Sequence, residues 1–135
     1  MYKRQVRRVV VCSGKVYYEL LAYRREHKID HIAILRLEQQ YPFPHEDYKN
    51  AVAKYAQAKE VVWCQEEPQN QGAWYRLRAM LRSDIDAKKV LAYAGRRVSA
   101  SPAVGYAAKH MAEQKKLIED AFAEKLESGE MVLAR

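Results

Sequence analysis

Four short apolar runs, each followed by a stretch with helical spacing, constrain this chain more than any other feature. Arg8 to Cys12, Ile32 to Leu37, Val61 to Gln65 and Val90 to Tyr93 read as strands. The segments between them carry apolar residues at i, i+3 and i+4, the period of a helix with one buried face. Strand and helix alternating at this spacing give βαβ units, and βαβ units give a parallel sheet with helices on both faces. The expected fold is α/β: a three-layer sandwich around a mainly parallel sheet of four to five strands.

The helices follow from the same pattern. Val16 to about His27 places Tyr17, Leu20 and Leu21 on one side. Tyr41-Pro42-Phe43-Pro44 ends the second strand, because proline lacks the ladder donor. Pro44 suits the first turn of a helix whose Tyr48, Val52 and Tyr55 face inward. A third helix runs from about Gly72 to Ile85, with Trp74, Leu77 and Leu81 inward. Ser101-Pro102 reads as a cap and first turn. The last helix then keeps Val104, Ala107, Ala108, Met111, Ile118 and Phe122 on one side. Residues 1–6 read as a leader or truncation edge, 7–124 as one domain and 125–135 as a tail.

Composition narrows the class. The 135 residues suffice for one domain with a core. No apolar run approaches the roughly 20 residues that span a bilayer, so no membrane partner is expected. Cys12 and Cys64 sit inside strand-like runs, without CxxC or Cys/His metal spacing. They read as small buried hydrophobes in a reducing, cytoplasmic setting. The net charge of +7 is uneven, because residues 1–28 hold eight Lys/Arg against Glu19 and Glu26. Such a patch attracts anions. No groove-reading motif or aromatic interleaving accompanies it, so nucleic acid is not the expected partner.

In a parallel sheet every loop that follows a strand emerges at one edge, where ligands gather. Four unusual stretches do so here: Ser13-Gly14-Lys15, Glu38-Gln39-Gln40, Gln65 to Gly72, and Gly95 to Ser101. Ser13, Gly14 and Lys15 at a helix start can hold a phosphate or carboxylate. Equally, Ser13 can cap, Gly14 turn and Lys15 be solvated. Arg96 and Arg97, with Ser99 and Ser101, form a second candidate anion cradle, or simply surface ion pairs. Glu66 and Glu67 are adjacent in an extended segment and point to opposite sides. They therefore do not make an acid-base pair, and interface ion pairing or orientation of an amide is the expected role. The four histidines lack zinc spacing, and no nucleophile constellation is present. No catalytic residue is expected in this chain.

The richest stretch is Glu60 to Trp74, where a buried strand runs into Gln65, Glu66, Glu67, Pro68, Gln69, Asn70, Gln71 and Gly72. This run, together with Cys12 to Leu20, Arg36 to Pro44 and Tyr93 to Tyr106, resembles the C-terminal domain of the thiamine-diphosphate-dependent 2-oxoglutarate dehydrogenase component. The resemblance covers about Arg7 to Phe122. It implies a transketolase C-terminal-domain-like fold and, for the parent, oxidative decarboxylation of 2-oxoglutarate in the tricarboxylic acid cycle. The succinyl unit then passes to the lipoyl succinyltransferase component. The thiamine diphosphate, its magnesium and the catalytic histidines belong to upstream domains, so this chain alone is expected to bind no cofactor and to be inactive.

The resemblance leaves assembly and regulation to this domain, with the rest of the parent and a second copy (a homodimer) as partners. Gln65, Glu66, Glu67, Gln69, Asn70, Gln71, Gly72 and Trp74 then form a structural or interface loop. A nucleotide effector is expected near Ser13, Gly14, Lys15, Gln39, Arg96 and Arg97. In actinobacterial members that answer to acetyl-CoA, a basic pair follows the proline turn. Here His45, Glu46 and Asp47 stand there, and the carboxylates repel a CoA phosphate. The alternative reading is an independent α/β module that binds a nucleotide or other anion at the strand-end edge. A severed domain should leave aromatics such as Trp74, Tyr41 or Phe43 uncovered, and a free-standing module should not.

Overall fold

The structure is a computed structural model that describes residues 5–38, 40–97 and 107–124, with the side chains of Ala107 and Ala108 left aside. Expectations placed on Gln39, Ser99, Ser101, Pro102, Val104, the first four residues and the tail from 125 lie outside the described residues. Among the described residues four strands alternate with four helices: β1 (Arg8–Cys12), α1 (Val16–Glu26), β2 (Ile32–Arg36), α2 (His45–Ala53), β3 (Glu60–Pro68), α3 (Trp74–Ser83), β4 (Val90–Arg96) and α4 (Ala107–Phe122). All described strand pairs are parallel, in the order β2-β1-β3-β4. The chain reverses its direction of winding between β1 and β3.

Alternate side chains of the strands feed two cores, as a period of two requires. Val9, Val11, Val61, Trp63, Leu91 and Tyr93 meet α2 and α3 through Tyr48, Val52, Trp74, Leu77 and Leu81. Val10, Cys12, Val62, Cys64, Ala92 and Ala94 meet α1 and α4 through Val16, Leu20, Leu117, Ile118 and Ala121. This is the three-layer arrangement read from the sequence. Tyr48 is locked further by its hydroxyl, which donates to the Leu81 carbonyl at 2.9 Å. That bond ties α2 to α3.

The structure corrects several local readings. β3 and β4 each run three residues further than their apolar runs, taking in Glu66 to Pro68 and Ala94 to Arg96. Between the pairs Cys64↔Ala94 and Pro68↔Arg96 the register shifts, so β3 spends four residues where β4 spends two. A bulge of this kind re-aims side chains beside a site. In α1 the buried positions are Val16 and Leu20, while Leu21 is half-buried. Met111 on α4 is exposed, and Leu117 and Ala121 take the inward places. Of the three aromatics expected to be uncovered in a severed domain, Trp74 and Phe43 are buried and Tyr41 is exposed. Arg8 does not join a solvated basic face. It is buried at the edge where the strands begin, paired with Glu60 at 2.9 Å and donating to the Ala121 carbonyl at 2.8 Å, which closes the end of α4.

Candidate functional site

The winding reversal between β1 and β3 is the position where open α/β sheets leave a crevice. Its walls are the turn after β1 and the end of β3. Gly14 makes that turn with φ of 81°, a left-handed conformation that glycine adopts without strain. The residue at the α1 cap is Lys15, and it makes no side-chain capping bond. Ser13 is therefore not the cap that the sequence allowed. Lys15 instead reaches across the crevice, and its Nζ lies 2.6 Å from Glu66 Oε1. The hydrogen bond to Glu66 holds the Lys15 ammonium above its ordinary value.

Glu66 sits in a wider network. Gln114 of α4 donates its amide to Glu66 Oε1 at 2.9 Å and to Glu19 Oε2 at 2.7 Å. The Arg96 guanidinium, buried at the end of β4, donates to the Glu66 carbonyl. Its Nε pairs with Glu113 Oε1 at 3.2 Å, and its Nη2 donates to Gln114 Oε1 at 2.9 Å and to the His110 carbonyl at 3.3 Å. Lys15, Glu66 and Arg96, distant in sequence, thus meet in one place. The adjacent glutamates diverge as an extended strand requires. Glu66 is half-buried and orients the Gln114 amide, while Glu67 is exposed.

A second centre forms around Gln65 on the other face of the sheet. Its Oε1 accepts from Trp63 Nε1 at 2.8 Å and from the Trp74 backbone N–H at 3.1 Å. Its Nε2 donates to the carbonyls of Glu67 at 3.1 Å and Pro68 at 3.0 Å. One buried amide therefore caps α3 and pins the bulge. Gly72 does not have the positive φ that a tight turn would need. Its constraint is space, because a β-carbon there would lie 2.5 Å from Gln65 Nε2. Trp74 is buried and its ring stands 5.3 Å from Tyr93. The Tyr93 hydroxyl donates to the Arg96 carbonyl at 2.7 Å, and the Gln69 N–H donates to the same carbonyl at 3.1 Å. The two centres thus share the end of β4.

Asn70, Gln71 and Arg97 are exposed at this edge, with Gln71 N–H donating to the Pro68 carbonyl at 2.9 Å. On the outer strand, Arg36 pairs with Glu38 at 2.7 Å, a close ion pair without hydrogen-bond alignment. Its guanidinium also lies about 5 Å over the rings of Tyr17 and Tyr18. Glu19, His110, Glu113 and Gln114 were not among the sequence-derived candidates. Their signal was present: His110, Glu113 and Gln114 precede Leu117 and Ala121 on one stripe of α4. That stripe is polar where it passes the ends of the strands and apolar where it lies on the sheet.

These contacts are structural chemistry. Among the described residues no group of three or more His, Cys, Asp or Glu side chains is placed to hold a metal ion. Burial pushes the Cys12 thiol up from 9.0 to about 12 and Cys64 well above 9.0, so neither is a thiolate nucleophile near neutral pH. No described helix is long and apolar enough to cross a membrane.

Comparison with known proteins identifies what carries this arrangement. A family described as 2-oxoglutarate dehydrogenase C-terminal matches residues 1–122. A 2-oxoglutarate dehydrogenase E1 component of Haemophilus influenzae is 56% identical over 118 residues, covering 87% of this chain and 13% of that protein. One from Cupriavidus necator is 52% identical over 119 residues, covering 88% and 12%. One from Coxiella burnetii is 49% identical over 120 residues, covering 87% and 13%. The chain therefore spans about an eighth of the length of the relatives it matches. With the α/β fold on which the match lies, it follows that this chain belongs to the 2-oxoglutarate dehydrogenase C-terminal family.

Proposed function

We propose that this chain is the C-terminal assembly and regulatory domain of a 2-oxoglutarate dehydrogenase decarboxylating component. The observation that carries the reading is the 56% identity over 118 residues with the Haemophilus influenzae protein of that name. In this reading the parent oxidatively decarboxylates 2-oxoglutarate, with thiamine diphosphate and magnesium, and delivers the succinyl unit to a lipoyl group of the succinyltransferase component. It does so in the bacterial cytoplasm. The residues described here do not fit that cofactor. Among the described residues no cluster of His, Cys, Asp or Glu side chains can take the magnesium. The cofactor site belongs to the remainder of the parent.

The domain's own task is to hold that remainder and a second copy together. The two polar centres support this, since they tie α1, α3 and α4 to the ends of β3 and β4. A nucleotide effector is assigned to the same edge, at Ser13, Gly14, Lys15, Gln39, Arg96 and Arg97. Lys15 and Arg97 are the exposed cations among these. An anion there competes with Glu66 for the Lys15 ammonium, and so acts on the contact between α1 and β3.

The test is assembly. The full-length polypeptide that carries this domain is expected to sediment as a dimer and to turn over 2-oxoglutarate. The same polypeptide cut before residue 7 is expected to lose both. A truncated protein that remained dimeric and fully active would overturn the assembly role.

A further inference from the structure

The large apolar side chains left exposed among the described residues are Tyr18, Tyr41, Tyr75 and Met111, at 59%, 90%, 44% and 70%. Exposed apolar residues are ordinarily scattered, yet all four lie at the edge where the strands end. Tyr18 is in the first turn of α1, Tyr41 in the β2–α2 connection, and Tyr75 in the first turn of α3. Met111 follows His110, whose carbonyl accepts from Arg96 at the end of β4. Gathering of this kind marks a covered surface.

Two of the four belong to one patch. Arg76 Nη2 donates to Gln40 Oε1 at 2.8 Å, which brings the connection bearing Tyr41 against the turn bearing Tyr75. The Arg78 guanidinium stacks 4.8 Å over the Tyr75 ring. Tyrosine and arginine are enriched, with tryptophan, among the few residues that carry most of the energy of protein interfaces. The charge is one-sided: α3 carries Arg76, Arg78 and Arg82 and no carboxylate. Arg82 is turned inward, donating to the carbonyls of Asp86 and Lys89. Arg76 and Arg78 are exposed and form no ion pair among the described residues. Arg76 also stands at the positive end of the helix dipole, where a cation is unfavourable. Carboxylates on an opposing surface offset both penalties.

We infer that Tyr41, Tyr75, Arg76 and Arg78 form a docking face for an acidic protein surface on the amino-terminal remainder of the same polypeptide. The inference rests on the assembly role proposed above and names the face that performs it. The length of the relatives supports this occupant, since most of their chain lies outside the matched region.

Tyrosine nitration by tetranitromethane, read by mass spectrometry, tests the face. The 135-residue chain is compared with the full-length polypeptide, and turnover of 2-oxoglutarate is measured on the same full-length sample. In the full-length protein, nitration of Tyr41 and Tyr75 is expected to slow about tenfold, because a packed interface excludes solvent and reagent from the rings it covers. The double substitution Arg76→Glu/Arg78→Glu is expected to restore the rate of the isolated chain. Its circular dichroism should be unchanged, because both side chains are exposed. Equal nitration in the two proteins, or protection that survives the charge reversal, overturns the face. Unprotected tyrosines in an active enzyme overturn this inference alone. Protected tyrosines that lose their protection on charge reversal, in a protein without turnover, uphold the face and overturn the proposed reaction.

Discussion

The Gln65 carboxamide occupies the space that a side chain at position 72 would need: a β-carbon on Gly72 would stand 2.5 Å from Nε2, 2.6 Å from Cδ and 2.7 Å from Oε1. Gln65 cannot retreat cheaply, since it is buried and committed to Trp63, Trp74, Glu67 and Pro68. Gly72→Ala should therefore destabilise the fold by about 2–4 kcal/mol, through hydrogen bonds lost in a buried site. Urea denaturation checks this. In the double mutant with Gln65→Ala, the two losses should not add. An unchanged midpoint for the single mutant would contradict the packing.

Gly14 provides the contrasting case. No atom outside its chain neighbours lies within 4 Å of a β-carbon built there, and its φ is 81°. The cost of Gly14→Ala is then conformational, about 1–2 kcal/mol. Asparagine, which tolerates the left-handed region, should recover part of it at position 14 and none at position 72. Paired melting curves for Ala and Asn at both positions separate the two mechanisms.

Arg96 binds β4 to α4 and to β3. Removing a buried, hydrogen-bonded charge leaves its partners unsatisfied, so Arg96→Met should cost about 3 kcal/mol. Hydrogen exchange should quicken first in α4 near Glu113 and Gln114. Uniform exchange across the sheet and helices would show that Arg96 does not brace this corner.

Alkaline pH should weaken the fold. Burial raises the Cys12 thiol from 9.0 to about 12 and raises Cys64 and Tyr48 as well. Above pH 9 the unfolded chain loses the Cys12 proton while the folded chain keeps it, so stability present below pH 9 falls toward pH 12. The slope from Cys12 is about 1.4 kcal/mol per pH unit, roughly 4 kcal/mol over the window. Urea midpoints in reducing buffer between about pH 8 and about pH 11 should fall, and Cys12→Ala should flatten the decline. A pH-independent midpoint would contradict burial of the thiols.

The effector assignment has its own readout. Titrating AMP should shift the amide resonances of Ser13 to Val16, because an anion that takes Lys15 from Glu66 changes the field along that turn. Lys15→Ala should abolish the shifts. Spectra that stay unchanged at millimolar AMP would remove the nucleotide from this edge.

The layers of the fold were legible because parallel strands and amphipathic helices each leave a period in the sequence. Val9 to Cys12 and Val61 to Cys64 could be placed by that alone. The ends of β3 and β4 could not, because Glu66 to Pro68 and Gly95 to Arg96 have strand geometry without strand composition. They are held by a bulge and by Arg96. Met111 was misplaced for a related reason. The inward stripe of α4 turns polar beyond the sheet, where His110, Glu113 and Gln114 meet Arg96. At the site, Lys15, Glu66 and Arg96 were identifiable as unusual residues at strand ends. Their mutual pairing was not, since it depends on strand order, which a single sequence does not encode locally.

The most direct test of the central claim is release of carbon dioxide from 2-oxoglutarate, measured with thiamine diphosphate, magnesium and an electron acceptor. The full-length polypeptide and the 135-residue chain are assayed side by side. The expected result is turnover by the full-length protein and none by the chain alone. Turnover by the isolated chain, or its absence from the full-length protein, would contradict the account.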